Sequence, residues 1–133
     1  MIRGLLKGLA KTLQQMFRPP ITIQYPEERR EVSPRFRGRP QLVTDESGNA
    51  KCVACCLCAT ICPPQAISIE PAEGEMHEKY PASFVIDLSR CIYCGFCQEA
   101  CPKGAIRLSQ EYELAQYQRK ELVYTKERLM EGN

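Results

Sequence analysis

The chain has 133 residues, 44% of them hydrophobic, with a formal net charge of +2. That length sets one small domain with appended segments, and 18 basic against 16 acidic residues argue against a polyanion-binding surface spread over the chain. Nine cysteines beside a single histidine concentrate the chemistry in sulfur, and an odd count with no signal-peptide core speaks against a disulfide framework.

The first predicted element is an amphipathic helix over residues 1–18. Ile2, Leu5, Leu6, Leu9, Leu13, Met16 and Phe17 recur at helical spacing and, at about 100° per residue, share one face. Arg3, Lys7, Lys11 and Arg18 take the opposite face, with no acid among them. Such a helix suits an anionic membrane surface or the flank of a membrane protein. No apolar run reaches the roughly eighteen residues a spanning helix needs. Packing on its own domain is the alternative; a mitochondrial transit peptide fits less well, because the segment lacks serine.

Residues 19–41 hold half of the ten prolines and read as an extended Pro/Arg-rich arm. Arg35, Arg37 and Arg39 alternate around Phe36, an interleaving that also occurs in nucleic-acid grips. The charge distribution argues against nucleic acid. Residues 1–51 carry ten basic and five acidic groups, but residues 52–109 carry four and six, so no basic surface extends over the fold. Carboxylate-rich protein partners, which Arg pairs with bidentately, suit this arm better.

Residues 42–109 are predicted to form the domain proper. They contain two C-x-x-C-x-x-C-x-x-x-C-P runs: Cys52, Cys55, Cys58 and Cys62 before Pro63, and Cys91, Cys94, Cys97 and Cys101 before Pro102. Three thiolates at this spacing wrap a short loop around one [4Fe–4S] cube, and the fourth serves the other cube. The last interval is about one helical turn, so the fourth thiolate points away from its own loop, and the proline ends that turn. Cluster 1 is therefore expected on Cys52, Cys55, Cys58 and Cys101, and cluster 2 on Cys91, Cys94, Cys97 and Cys62. Structural zinc, usually held by well-separated C-x-x-C pairs, is the weaker reading; iron and acid-labile sulfide analysis separates the two.

The runs belong to an internal repeat offset by 39 residues, which also matches Ala66 with Ala105, Ile67 with Ile106, Leu57 with Phe96 and Ile69 with Leu108. Such a repeat predicts two halves about a pseudo-two-fold, sharing a small core around the clusters. Residues 66–69, 105–108 and 84–88 read as strands. The fold class is thus α+β, a ferredoxin-like 2[4Fe–4S] domain in which the clusters supply much of the folding energy. Val53, Leu57, Ile61, Ile92, Tyr93, Phe96 and Ile106 are expected to exclude water around them. Cys56 stands where the second run has Gly95. It reads as a small buried thiol in a glycine-like slot, with a ligand role as the alternative, and it either strains the loop or shows that no positive φ is needed there. His77, in the polar stretch between the halves, reads as a solvated loop residue and not a ligand.

The last segment, residues 110–133, mixes charges of both signs with scattered Tyr112, Tyr117, Tyr124 and leucines. It reads as an extended tail lying along another protein, or as a free tail.

These features together resemble subunit I of the bacterial NADH–quinone oxidoreductases, respiratory complex I. The resemblance rests on the two cysteine runs, the amphipathic start, Thr22-Ile-Gln-Tyr-Pro-Glu27, Arg35-Phe-Arg-Gly-Arg39, Tyr112-Glu-Leu-Ala and Leu122-Val-Tyr-Thr-Lys126, and covers nearly the whole chain. It implies two cubes that relay electrons from the large iron–sulfur subunit, fed by NADH, to the terminal-cluster subunit beside the quinone site. It also implies quinone-site and membrane subunits as partners. The enzyme would then be the proton-translocating assembly, with no catalytic residue in this chain beyond its clusters, lying peripherally on the cytoplasmic side of the inner membrane. Cys56 departs from the glycine usual in that family. A ferredoxin-like subunit of a membrane-bound hydrogenase and a soluble 2[4Fe–4S] ferredoxin are the alternatives.

Overall fold

The spacing of apolar residues at the start does yield a helix. In the computed structural model, which describes residues 2–74 and 78–131, α1 runs Ile2–Met16 and none of its residues is buried. It belongs to the first of two units, residues 1–31; the second comprises residues 32–133. Among the described residues no helix is long and apolar enough to cross a membrane. His77 lies outside the described residues.

The second unit is built on two antiparallel ladders. β1 (Pro40–Leu42) pairs with β4 (Ile106–Leu108), bringing Leu42 opposite Ile106. β2 (Ile67–Glu73) pairs with β3 (Lys79–Asp87), bringing Ile67 opposite Ile86, and β3 also pairs with β5 (Val123–Tyr124). The ladders are equivalents in the repeat: all four of those residues are buried, and Val43 N–H donates to Ala105 O as Asp87 N–H donates to Ala66 O, both at 2.9 Å. Leu42 precedes Cys52 by ten residues and Ile86 precedes Cys91 by five. A turn at residues 45–49 absorbs the difference, with Asp45 Oδ1 accepting from the N–H groups of Ser47 and Asn49 at 3.0 and 2.8 Å.

Strands lie where the alternation placed them, with shifted ends. β3 begins at Lys79, five residues before the predicted 84–88, because β2 runs on past a bulge at Glu70/Pro71 and pairs with it. β1 was not expected as a strand: its three residues are all buried and carry no period. Two short helices, α2 (Leu57–Ile61) and α3 (Phe96–Glu99), each begin one residue before the third cysteine of a run and form the single turns the spacing predicts. Leu42, Phe84, Ile86, Leu88, Ile106 and Tyr124 form the core. Each such side chain contributes on the order of 1.5–3 kcal/mol on burial.

The expectation of an extended tail over residues 110–133 is corrected in its second half. A 3₁₀ turn (Arg119–Leu122) leads into β5 and then α4 (Lys126–Met130), which buries Leu129 completely and packs on β1 and β3. Burial of Tyr124 and Leu129 drives this, with the Arg128 guanidinium 3.9 Å above the Tyr124 ring. The arm before β1 also turns inward. Gly38 N–H donates to Ser109 O at 2.8 Å and Arg39 N–H to Glu111 O at 2.9 Å. Phe36 meets Tyr112 edge to face at 6.2 Å. Gly38 is obligatory, since a Cβ there would lie 2.8 Å from Ser109 O and overlap Glu111 O. Arg39 is 7% exposed; its Nη1 and Nη2 donate to the carbonyl oxygens of Arg128 and Glu131 at 3.3 and 2.9 Å. Its Nε lies 2.6 Å from Glu111 Oε2 in a contact that is ionic and poorly aligned for hydrogen bonding. The arginines expected to reach for a partner's carboxylates therefore include one spent on the chain's own tail.

Candidate metal centres

The cysteine loops are shaped by backbone in an unusual conformation, and it repeats. Ala54, Cys56 and Gln65 have φ of 47°, 60° and 49°, and their counterparts 39 residues on, Tyr93, Gly95 and Gly104, have 52°, 84° and 58°. Successive left-handed turns of this kind aim backbone N–H groups inward and make concavities suited to anions. The N–H of Ala66 donates to Cys62 Sγ at 3.3 Å and that of Ala105 to Cys101 Sγ at 3.2 Å, again equivalents. Tyr93 N–H donates to Cys91 Sγ at 3.4 Å, and Ala54 N–H serves Cys52 in the same manner.

Cys56 answers the question its sequence position raised. The positive φ is required, and a non-glycine residue adopts it at a cost of about 1–2 kcal/mol. Its thiol is half-buried, with Sγ 3.5 Å from Ala54 O, at the edge of the first cavity and not in a closed slot.

Two cavities lie among these loops. The first, about 350 Å³ with the solvent space at its mouth included, is lined by Cys52, Cys55, Cys58 and Cys101 together with Cys56. The second, about 370 Å³ on the same measure, is lined by Cys91, Cys94, Cys97 and Cys62. The last cysteine of each run thus reaches the cavity of the other. The turns explain it: Cys62 ends α2 in extended backbone before Pro63, as a residue preceding proline favours. Among the described residues no three His, Cys, Asp or Glu side chains converge on one ion-sized point. The thiols are instead spread around the walls of two separate cavities, as two cubes with ligands at their corners require.

The electrostatics point the same way. Burial pushes the Cys58 thiol up to about 12, helped by Cys52, Cys97, Cys101 and Cys55, and pushes Cys97 up to about 11, helped by Cys91. Burial likewise raises Cys52 and Cys91, against the lowering effect of the N–H bonds they accept. Four thiolates crowded in an apolar cavity need a strongly positive group among them, and iron supplies it.

Of the residues expected to exclude water, Ile106 is buried and Val53 and Tyr93 are partly so, but Leu57, Ile61, Ile92 and Phe96 are 43–61% exposed. Of these four, Ile92 still lines the second cavity, whereas Leu57, Ile61 and Phe96 line neither. Beside the expected Val53, Ile92 and Ile106, the apolar walls include Ile69, Phe84, Ile67 and Ile86. Their alternation in β2 and β3 was the signal available for them.

Fold and cavities together define a ferredoxin-type protein with two iron–sulfur sites, and residues 51–105 match the 4Fe-4S dicluster domain family. The chain is 49% identical to NADH-quinone oxidoreductase subunit I 2 of Geobacter metallireducens over 98% of its own length and 99% of that relative. It is 50% identical to subunit I 1 of Nitrosococcus oceani over 94% of its length and 69% of that protein. Among solved structures it is similar to a chain of the membrane-bound sulfane sulfur reductase, an archaeal respiratory membrane complex, with a TM-score of 0.55 and 35% identity over 84% of this chain and 56% of that one. The chain belongs to the NADH-quinone oxidoreductase subunit I family. It carries two [4Fe–4S] clusters and is an iron–sulfur electron-transfer subunit of a multi-subunit, membrane-associated oxidoreductase.

Proposed function

We propose that Cys52, Cys55, Cys58 and Cys101 hold cluster 1 and that Cys91, Cys94, Cys97 and Cys62 hold cluster 2, within an NADH:quinone oxidoreductase. The observation that carries the ligand sets is the exchange of the last cysteines between the two cavities. When bound, each cube supplies a one-electron couple. The chain's own part is to hold the thiolates, to aim N–H groups of Ala54, Ala66, Tyr93 and Ala105 at their sulfurs, and to keep water off the inner face with Phe84 and Ile86. Donation to sulfur eases the negative charge gained on reduction and so raises the potential.

The upstream donor is proposed to be the large iron–sulfur subunit and the acceptor the terminal-cluster subunit beside the quinone site, with membrane subunits nearby. Relatives named as NADH-quinone oxidoreductase subunits at 49–50% identity support this over the hydrogenase and soluble-ferredoxin readings. The unburied apolar stripe of α1, set against Arg3, Lys7 and Lys11, supports docking on the cytoplasmic surface of the inner membrane. Liposome flotation of the complex with and without residues 1–18 tests that, and unchanged association would count against it. For the ligand sets, Cys101→Ala is expected to abolish the EPR signal of cluster 1 while cluster 2 persists. Loss of cluster 2 with cluster 1 intact would overturn the crossed assignment.

A further inference from the structure

Cys56 and Gly95 are equivalent positions, both left-handed, yet only one of them is glycine. The reason lies outside both loops. The guanidinium of Arg37 lies against Gly95 so closely that a Cβ there would stand 3.1 Å from its Cζ and Nε and 3.2 Å from Nη1. From this seat Nη1 donates to the carbonyl oxygen of Cys94, and Nη2 lies 3.1 Å from Glu99 Oε1. A Cβ at position 95 would crowd the guanidinium and push it a few tenths of an ångström off its seat. The first cavity has Lys103 in its lining, but that side chain is exposed and nothing fixes it to a cysteine carbonyl.

The ion pair itself does little for stability. Its side chains are 51% and 60% exposed, and such pairs contribute about 0–1 kcal/mol. What the seat does achieve is to hold a permanent positive charge on the peptide that follows one thiolate of the second site. It also ties up the carbonyl oxygen of Cys94 itself, whose partial negative charge it offsets. Both effects favour the form with one more electron.

Resting on the ligand sets given above, we propose that Arg37 is a positioning residue that raises the midpoint potential of cluster 2 and leaves cluster 1 unaffected. The step concerned is the uptake of one electron by the oxidised cube from a reduced iron–sulfur partner; no bond is made or broken and no proton moves. Glu99 opposes the effect, because its carboxylate offsets part of the guanidinium charge.

The test is a dithionite titration of the full chain carrying both clusters, followed by EPR, in wild type, Arg37→Gln, Arg37→Lys and Glu99→Gln. Arg37→Gln is expected to lower the midpoint of cluster 2 by up to about 59 mV, a tenfold loss in the one-electron equilibrium. Arg37→Lys should restore most of it, and Glu99→Gln should shift cluster 2 upward by less. Cluster 1 should stay in place in all three. Equal shifts of both clusters, or none, would overturn the proposal. Should Arg37→Gln fail to assemble cluster 2, the upward shift in Glu99→Gln still decides, and a downward or absent shift there overturns it. Iron analysis separates the two levels: well below about eight irons in the wild-type chain overturns the two-cube reading, whereas a full complement with unmoved potentials overturns the role of Arg37 alone.

Discussion

The half of the domain that begins at Cys52 and the half that begins at Cys91 share their cysteine spacing, their three left-handed positions, their N–H to sulfur bonds and a buried Ala-Ile pair. They differ in what presses on them from outside. The second loop has Arg37 seated on Gly95 and Asp87 at its entrance, where the first has an open Cys56 and a longer turn at residues 45–49. Features that recur in both halves are those a cube imposes; features found in one half answer to that half's neighbours.

The harshest way to break this comparison is Gly38→Ala. A Cβ there overlaps backbone carbonyls that cannot move without opening the contact with Ser109 and Glu111. It should destabilise the chain by about 3 kcal/mol or more in thermal unfolding, and by freeing the arm it should disturb cluster 2 before cluster 1. Leu129→Ala comes next, at about 2–5 kcal/mol. Because α4 packs on both β1 and β3, both clusters should become labile together, and a loss confined to one would contradict shared support. Gly95→Ala combines a φ of 84° with displacement of the guanidinium and should cost about 1–3 kcal/mol, with a changed spectrum for cluster 2 only.

Much of the site was legible because cluster ligation is local in sequence: three thiolates at fixed short intervals are read directly from Cys52–Cys58 and Cys91–Cys97. That the last cysteine of each run lines the other run's cavity was legible too, since a helical turn followed by proline leaves that thiol facing away from its own loop. What escaped was set by contacts distant in sequence. β5 is two residues long and shows no period, and Tyr124 and Leu129 are buried only because the chain returns to β3 and β1. Likewise Arg37 and Arg39 announced that carboxylates would be met, but side-chain chemistry does not reveal that those belong to Glu99 and Glu111 of the same chain. Leu57 and Phe96 have the composition of water-excluding residues, yet a left-handed residue just before each turns the side chain outward.

Smaller effects sharpen the contrast further. Asp87 Oδ1 accepts from the N–H and hydroxyl of Ser89 at 3.0 and 2.6 Å, and that hydroxyl bond, then the backbone bond and Arg119 nearby, hold its carboxyl below the usual range. A lowered folded-state value means stability that is present above about pH 4 and lost as pH falls through the lowered value. Asp87→Asn should therefore cost about 0.5–1 kcal/mol near neutrality, and the gap from wild type should close on acidification below pH 4. Both chains share the acid lability of their clusters, so the difference in urea midpoint isolates the carboxylate. Smallest of all is Cys56→Gly, where relief of the left-handed strain is offset by the backbone entropy of glycine. A net change within about 1 kcal/mol is expected, with both clusters retained by iron and sulfide analysis. Loss of cluster 1 would make Cys56 a ligand and end the equivalence of the halves.

Leu57 and Phe96, one beside each cavity and each nearly half exposed, have a consequence for traffic through the protein. These matching apolar landing points do not by themselves mark one site as inlet and the other as outlet. Either end offers an arriving partner the same kind of apolar contact, so what tells the two ends apart is the charge set around each site, with the Arg37 guanidinium at the second alone.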